Sequence, residues 1–245
     1  MRTRQALIGL SFVIAVAAGF AFVPWQAGDE AILPGADPTT GAPAASTSAT
    51  PTPTTTPTPT RSASRHTIPR TACGPSGARE VRFRIHVDRT LPTSREEFGN
   101  AVRTVLCDRR GWRASGVVRF RYDPNGKLLI GIRTPAETER RCYELIRLSV
   151  NRRYSCGTPR EVVINSDRWF KGVPHFASRA EYRRMLVNHE VGHALGLHHQ
   201  RCASDGARAP VMMQQSKGMT QDGNTCVTNP WPRRDELDRL RREHR

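Results

Sequence analysis

Large apolar residues are scarce in this chain. Of its 245 residues, 37% are hydrophobic and 7% aromatic. That is too little for the whole length to pack, so some segment must lie outside any core. Lysine is rarer still. Only Lys127, Lys171 and Lys217 contribute to the 38 basic residues; the rest are arginines, scattered rather than gathered into a motif. No zinc-finger spacing, helix-turn-helix or aromatic-basic RNA signature occurs, which excludes nucleic acid as the partner. No internal repeat occurs, which excludes a solenoid. No cysteine lies near the N-terminal apolar run, so lipid attachment there is excluded as well.

What is present at the N-terminus points to export. Arg2 and Arg4 precede an uncharged apolar run from Ala6 to Val23, long enough to span a bilayer and flanked by no convincing A-x-A cleavage triplet. Residues 1–27 are therefore read as a cytoplasmic N-terminus and uncleaved membrane anchor, with a cleaved signal peptide as the alternative. Residues 28–70 are rich in Pro, Thr, Ala and Ser. The stretch Thr50–Thr60 (TPTPTTTPTPT) cannot bury enough surface to offset its ordering entropy and reads as a disordered spacer. Residues 71–245 then form one domain, extracytoplasmic and either tethered or secreted.

The formal charge is +16; the five arginines and three acids before residue 71 account for little of it, which leaves 33 bases against 19 acids, or +14. Arginine-heavy composition explains most of this surplus. The partner it would otherwise fit is an anionic cell-envelope surface.

Periodicity gives the element order. Val81, Phe83, Ile85 and Val87 alternate with polar residues as a half-buried strand. Ser94 with Glu97 makes a capping box before the helical spacing of Phe98, Val102, Val105 and Leu106. Val117–Tyr122 and Leu128–Ile132 flank Asp123-Pro124-Asn125-Gly126, the pattern of a β-hairpin. Glu161–Asn165 (EVVIN) reads as a short strand. Ser178–His198 reads as a long amphipathic helix that breaks at Gly196, and Arg233–Arg245 as a charged helix anchored by Leu237 and Leu240. The expected class is α+β.

One segment carries chemistry. Asn188–Gln200 reads N-H-E-V-G-H-A-L-G-L-H-H-Q. His189 and His193 stack on one helical face and can reach one metal. Glu190 is placed as a general base, Gly196 lets the chain stop and turn, and His199 returns as a third nitrogen ligand. By chance H-E-x-x-H arises in roughly one chain in a hundred of this length, and the added glycine and histidine lower that to about one in a hundred thousand. Three histidines with an open position fit one catalytic Zn2+ per chain.

H-E-x-x-H-x-x-G-x-x-H resembles the signature of the metzincin zinc metallopeptidases. The resemblance implies a zincin-like fold: a small twisted sheet, a long active-site helix and an irregular C-terminal part with a methionine turn, for which Met212 in Ala209-Pro210-Val211-Met212-Met213 fits. His189–Pro232 is also similar to the snapalysins, through the cysteine after the motif, the methionine and Cys226-Val227-Thr228-Asn229-Pro230-Trp231-Pro232. Snapalysins use aspartate as the third ligand, whereas this chain offers His199, with His198 beside it as the alternative. Over Cys73–Pro232 the chain resembles a family of exported actinobacterial proteins with a zincin-like domain, through Asp108-Arg109-Arg110-Gly111-Trp112, Val162–Asn165 with Arg168-Trp169, and Pro210-Val211-Met212 with Gln214-Gln215.

Many metzincins carry a tyrosine just past the methionine. Met213 and Gln214 stand there instead, so oxyanion support must come from zinc, backbone N–H groups or another side chain; His175 and Tyr182 are candidates, although residues of these types are more often structural. In an exported chain the six cysteines form three disulfides. Six cysteines allow 15 pairings. The favoured set is Cys202–Cys226, stapling the loop that carries Met212, then Cys142–Cys156, and Cys73–Cys107 by elimination; the rival places Cys202 on zinc. The expected function is an extracytoplasmic zinc endopeptidase acting on protein or peptide. The alternatives are a zinc-stabilised binding module without turnover and a zinc amidase acting on wall peptides.

Overall fold

The computed structural model describes residues 67–244. The apolar run and all but the last residues of the spacer lie outside the described residues. Ile68, assigned by composition to the spacer, is buried in the core, so the folded unit begins earlier than residue 71.

The described residues form a mixed five-stranded sheet, a small two-stranded hairpin and five α-helices. In order these are β1 (Arg79–Val87), α1 (Arg95–Leu106), a 3-10 turn (Trp112–Ser115), β2 (Val118–Tyr122), β3 (Leu128–Arg133), α2 (Pro135–Ile146), β4 (Cys156–Gly157), β5 (Glu161–Asn165), α3 (Ser166–Lys171), α4 (Arg179–Ala194), a small hairpin of β6 (Thr220–Gln221) and β7 (Asn224–Thr225), and α5 (Arg234–Glu243). The α+β expectation holds. The sheet order is β2-β1-β3-β5-β4, parallel except for the edge strand β4, which runs antiparallel to β5.

The expected hairpin does not form. β2 pairs with the first half of β1 and β3 with its second half, on the opposite side. The intervening residues step across β1 instead of folding back. Gly126 makes the crossing possible: a Cβ there would meet the Phe83 carbonyl carbon at 2.7 Å. Asn-Gly looked like a turn dipeptide, but the glycine is needed for close backbone approach rather than for positive φ.

Burial on β5 explains its unbroken apolar pattern. Val162 and Ile164 join the main core with Phe98, Val102, Leu186 and Val191 of α1 and α4. Val163, on the other face, packs with Cys142 and Val150 beside α2. A strand covered on both faces has no polar side to show. α4 departs from the amphipathic expectation for the same reason: every residue from Met185 to Gly192 is buried. α2 leaves a weak signal in sequence because its apolar residues come late: Cys142 is buried with Leu145 and Ile146 packed beside it, after two polar and charged turns, although Thr134 caps the helix and Pro135 opens it.

Three disulfides close the fold: Cys73–Cys107, Cys142–Cys156 and Cys202–Cys226. All six cysteines are used, so Cys202 is no metal ligand. Among the described residues no helix is long and apolar enough to cross a membrane.

Candidate metal centre

α4 ends where the motif requires it to. Gly196 adopts φ +98°, Leu197 N donates to Gly192 O at 2.9 Å, and Gly196 N donates to His193 O at 3.0 Å. These are the two bonds of a Schellman cap. The cap also orients a functional side chain, because His193 Nδ1 donates to Leu197 O at 2.9 Å. His189 Nδ1 likewise donates to Val211 O at 2.8 Å. With both Nδ1 protons committed to backbone carbonyls, each Nε2 is left with a bare lone pair.

Those lone pairs converge. One ring nitrogen from each of His189, His193 and His199 lies within 4.8 Å of the others, and His193 Nε2 is 3.1 Å from His199 Nε2. The spacing suits three nitrogens at roughly 2.0–2.1 Å from one ion. Burial is the main cause that lowers the pKa of His189 to about 3 and of His199 to about 4, and it also depresses His193. All three are therefore neutral at neutral pH, the form that binds metal. His198 lines the same cleft but is not among the converging three.

Glu190 is buried, and burial alone pushes its pKa up to about 8. It lines the cleft and its carboxyl makes no hydrogen bond among the described residues, which leaves it available for proton transfer. The cleft holds about 580 Å³. Its floor is the histidine cluster with Glu190. It is also lined by Ile146, Leu148, Val150 and Tyr154 with the edge strand β4, and by Gln214 to Lys217. β4 passes so close to α4 that a Cβ on Gly157 would lie 2.2 Å from Glu190 O.

Beneath the cluster, Pro210–Met213 forms a tight turn, with Met213 N donating to Pro210 O at 3.0 Å. Met212 is fully buried, and its sulfur lies against Gly192, between the two helical histidines. Met212 O accepts from Gln200 N at 3.0 Å, which ties the turn to the residue after His199. The Cys202–Cys226 disulfide brackets this loop.

Glu236 escaped sequence reasoning, and Trp112, Gln215 and Asn229 entered it only as marks of resemblance, without their supporting roles. Glu236, in the charged tail, is fully buried and accepts from Val211 N at 3.0 Å, Met212 N at 2.8 Å and Arg233 N at 2.8 Å. Trp112 donates to Asn188 O at 2.8 Å and packs on Gly192. Gln215 and Asn229 bond each other and hold the turn to the Pro230 segment. Of the oxyanion candidates, Tyr182 is buried in the core with its hydroxyl 2.8 Å from Ser216 Oγ, and His175 bonds Gln215 O at 2.8 Å. Neither lines the cleft.

Fold and site together define an α+β protein with a three-histidine cluster and an adjacent free carboxyl in an open cleft. Residues 52–233 match the model of a family described as a protein of unknown function, DUF3152, and the chain belongs to that family. No curated protein matches it.

Proposed function

We propose that this protein is an extracytoplasmic zinc-dependent endopeptidase of metzincin type. The observation that carries the reading is the convergence of three neutral imidazoles, two of them with fixed tautomers, beside the unbonded carboxyl of Glu190. The donor set fits zinc: three nitrogens, no thiolate, and a cleft that leaves room for further ligands. His189, His193 and His199 would hold the ion. Bound zinc supplies Lewis acidity towards the scissile carbonyl and towards water.

The remaining steps belong to the chain. Glu190 takes a proton as a water oxygen attacks the carbonyl carbon, then returns it to the amine as the C–N bond breaks. Its place in the cleft beside the histidines suits both roles, since a carboxylate that accepts the proton from water can hand it on to the amine. The Met212 turn beneath the cluster supports the metzincin assignment, because it buttresses His189 through Val211 O. Three disulfides and an arginine-rich domain behind an apolar N-terminal run support placement outside the cytoplasm, tethered or secreted.

Glu190→Gln tests the mechanism. The variant should fold and keep about one zinc per chain, while hydrolysis of a denatured-protein substrate falls about 10²–10⁴-fold. Turnover equal to the parent's rules the mechanism out. A binding module would retain its function in this variant, and a wall-peptide amidase would cleave wall peptides but not denatured protein.

A further inference from the structure

The cleft has a charge asymmetry that the hydrolytic reading does not use. Among its lining residues Glu190 is the one carboxylate and Lys217 the one ammonium or guanidinium. Lys217 stands in the wall after the Met212 turn, held by its backbone N–H to Gln214 O at 2.9 Å. Its Nζ lies 5.3 Å from the centroid of the Tyr154 ring across the cleft wall. Two further cations crowd the same ring: the guanidinium carbon of Arg168 lies at 5.5 Å and that of Arg153 at 6.0 Å. The three arrive from separate segments, namely the turn loop, α3 and the loop before β4.

None of the three forms an ion pair among the described residues. Asp167, next to Arg168, is paired with Lys171 at 2.9 Å instead. Glu139, beneath the loop before β4, accepts from the backbone N–H groups of Val150 and Arg152. Arg168 is fixed by its Nε donating to Arg153 O at 2.8 Å. Three like charges around one ring repel, and the aromatic face offsets that only weakly at an exposed site. An anion arriving there relieves the repulsion. Lys217 lines the same cleft as His189, Glu190, His193 and His199, so an anion bound by Lys217 shares the cleft with the reacting atoms.

We infer that the cleft selects polypeptide substrates with an acidic side chain beside the scissile bond, read by Lys217, with Arg168 and Arg153 reinforcing the field behind Tyr154. The inference rests on the peptidase reading for the words "scissile bond"; the anion preference itself does not need turnover.

The test is therefore made by binding. Zinc-loaded Glu190→Gln protein is titrated with fluorescent, C-terminally amidated peptides that differ only in Glu/Asp against Gln/Asn at the central positions. The acidic peptides should bind about two- to fivefold tighter at low salt, the range for a partly exposed charge pair. Added salt should narrow the gap, Lys217→Ala should largely close it, and Arg168→Ala should reduce it. Lys217→Glu should move the preference to Lys/Arg peptides. Equal dissociation constants for acidic and neutral peptides, or a gap undiminished in both cation variants, overturns the proposal. So does a polyphosphate chain that binds while acidic peptides show no preference. An intact gap with no hydrolysis by the unsubstituted protein sinks the peptidase reading alone; hydrolysis without a gap sinks this inference alone.

Discussion

Gly192 and Met212 are matched in shape: a Cβ on Gly192 would lie 2.2 Å from the Met212 sulfur and 2.9 Å from Trp112 Cζ2. The glycine inside the histidine motif is thus the recess in which the methionine sits, and Trp112 closes the other side. Gly192→Ala must displace buried groups, at a cost of about 1–3 kcal/mol. Because the displaced sulfur packs at Gly192, in the helical turn that carries His189 and His193, zinc affinity should fall with stability. Gly77→Ala is the control, since nothing lies within 4 Å of its added Cβ. Thermal melts and zinc titrations of the two variants check this, and equal behaviour would contradict the packing argument.

Glu236 holds the methionine turn from the C-terminal helix. It receives three backbone N–H groups, two of them from Val211 and Met212. Glu236→Ala leaves those donors unpaired in the interior and should cost about 2–4 kcal/mol. It should also loosen Val211 O, which orients His189, so zinc affinity should drop roughly 10–100-fold, as for other residues that steer a metal ligand. Competition with a chelator measures the latter. Unchanged affinity in a folded variant would show that the turn holds its geometry without Glu236.

Legibility in the sequence followed the kind of signal each part leaves. The convergence of the three histidines was legible because i, i+4 spacing, a cap glycine and a third histidine are local facts about one helix end. The sheet topology was not. Whether Val117–Tyr122 pairs with Leu128–Ile132 or straddles β1 depends on a strand forty residues upstream, and Gly126 serves either geometry in sequence. α2 hid because its first two turns are polar and charged and its apolar face, Cys142 with Leu145 and Ile146, is confined to the last. Glu236 hid because a carboxylate in a run of charges looks solvated. Lys217 drew notice only as a rare lysine; its place opposite Tyr154 depends on tertiary contacts.

His199 and His198 separate cleanly in a zinc assay. The converging set contains His199 and not its neighbour, while both line the cleft. The parent should bind about one ion per chain. His199→Ala should weaken binding strongly, and His198→Ala should leave occupancy near the parent's. The reverse pattern, read by metal analysis after dialysis, would place the third ligand one residue earlier.

The metal-free protein should show a stability maximum near neutrality, and Glu190 should cause its alkaline side. The histidines have folded pKa values below the ordinary 6.5, with His189 at about 3 and His199 at about 4. Between those values and pH 6.5 the unfolded chain binds more protons, so stability rises with pH and levels off above 6.5. Glu190 behaves oppositely. Its folded pKa of about 8 exceeds the ordinary 4.5, so the folded chain binds the extra proton, and stability contributed below pH 4.5 is lost as pH climbs to 8. From pH 4.5 to 6.5 the histidines outnumber it and the net slope is upward; from 6.5 to 8 Glu190 acts without them and the slope turns down. Melting temperatures of chelator-treated parent and Glu190→Gln across pH 4 to 9 check the sign. The variant should gain on the parent progressively between pH 4.5 and 8, with no further change above. A difference curve that is flat across that window would mean that Glu190 is solvated in the folded protein, and the poised carboxyl on which the mechanism depends would be lost.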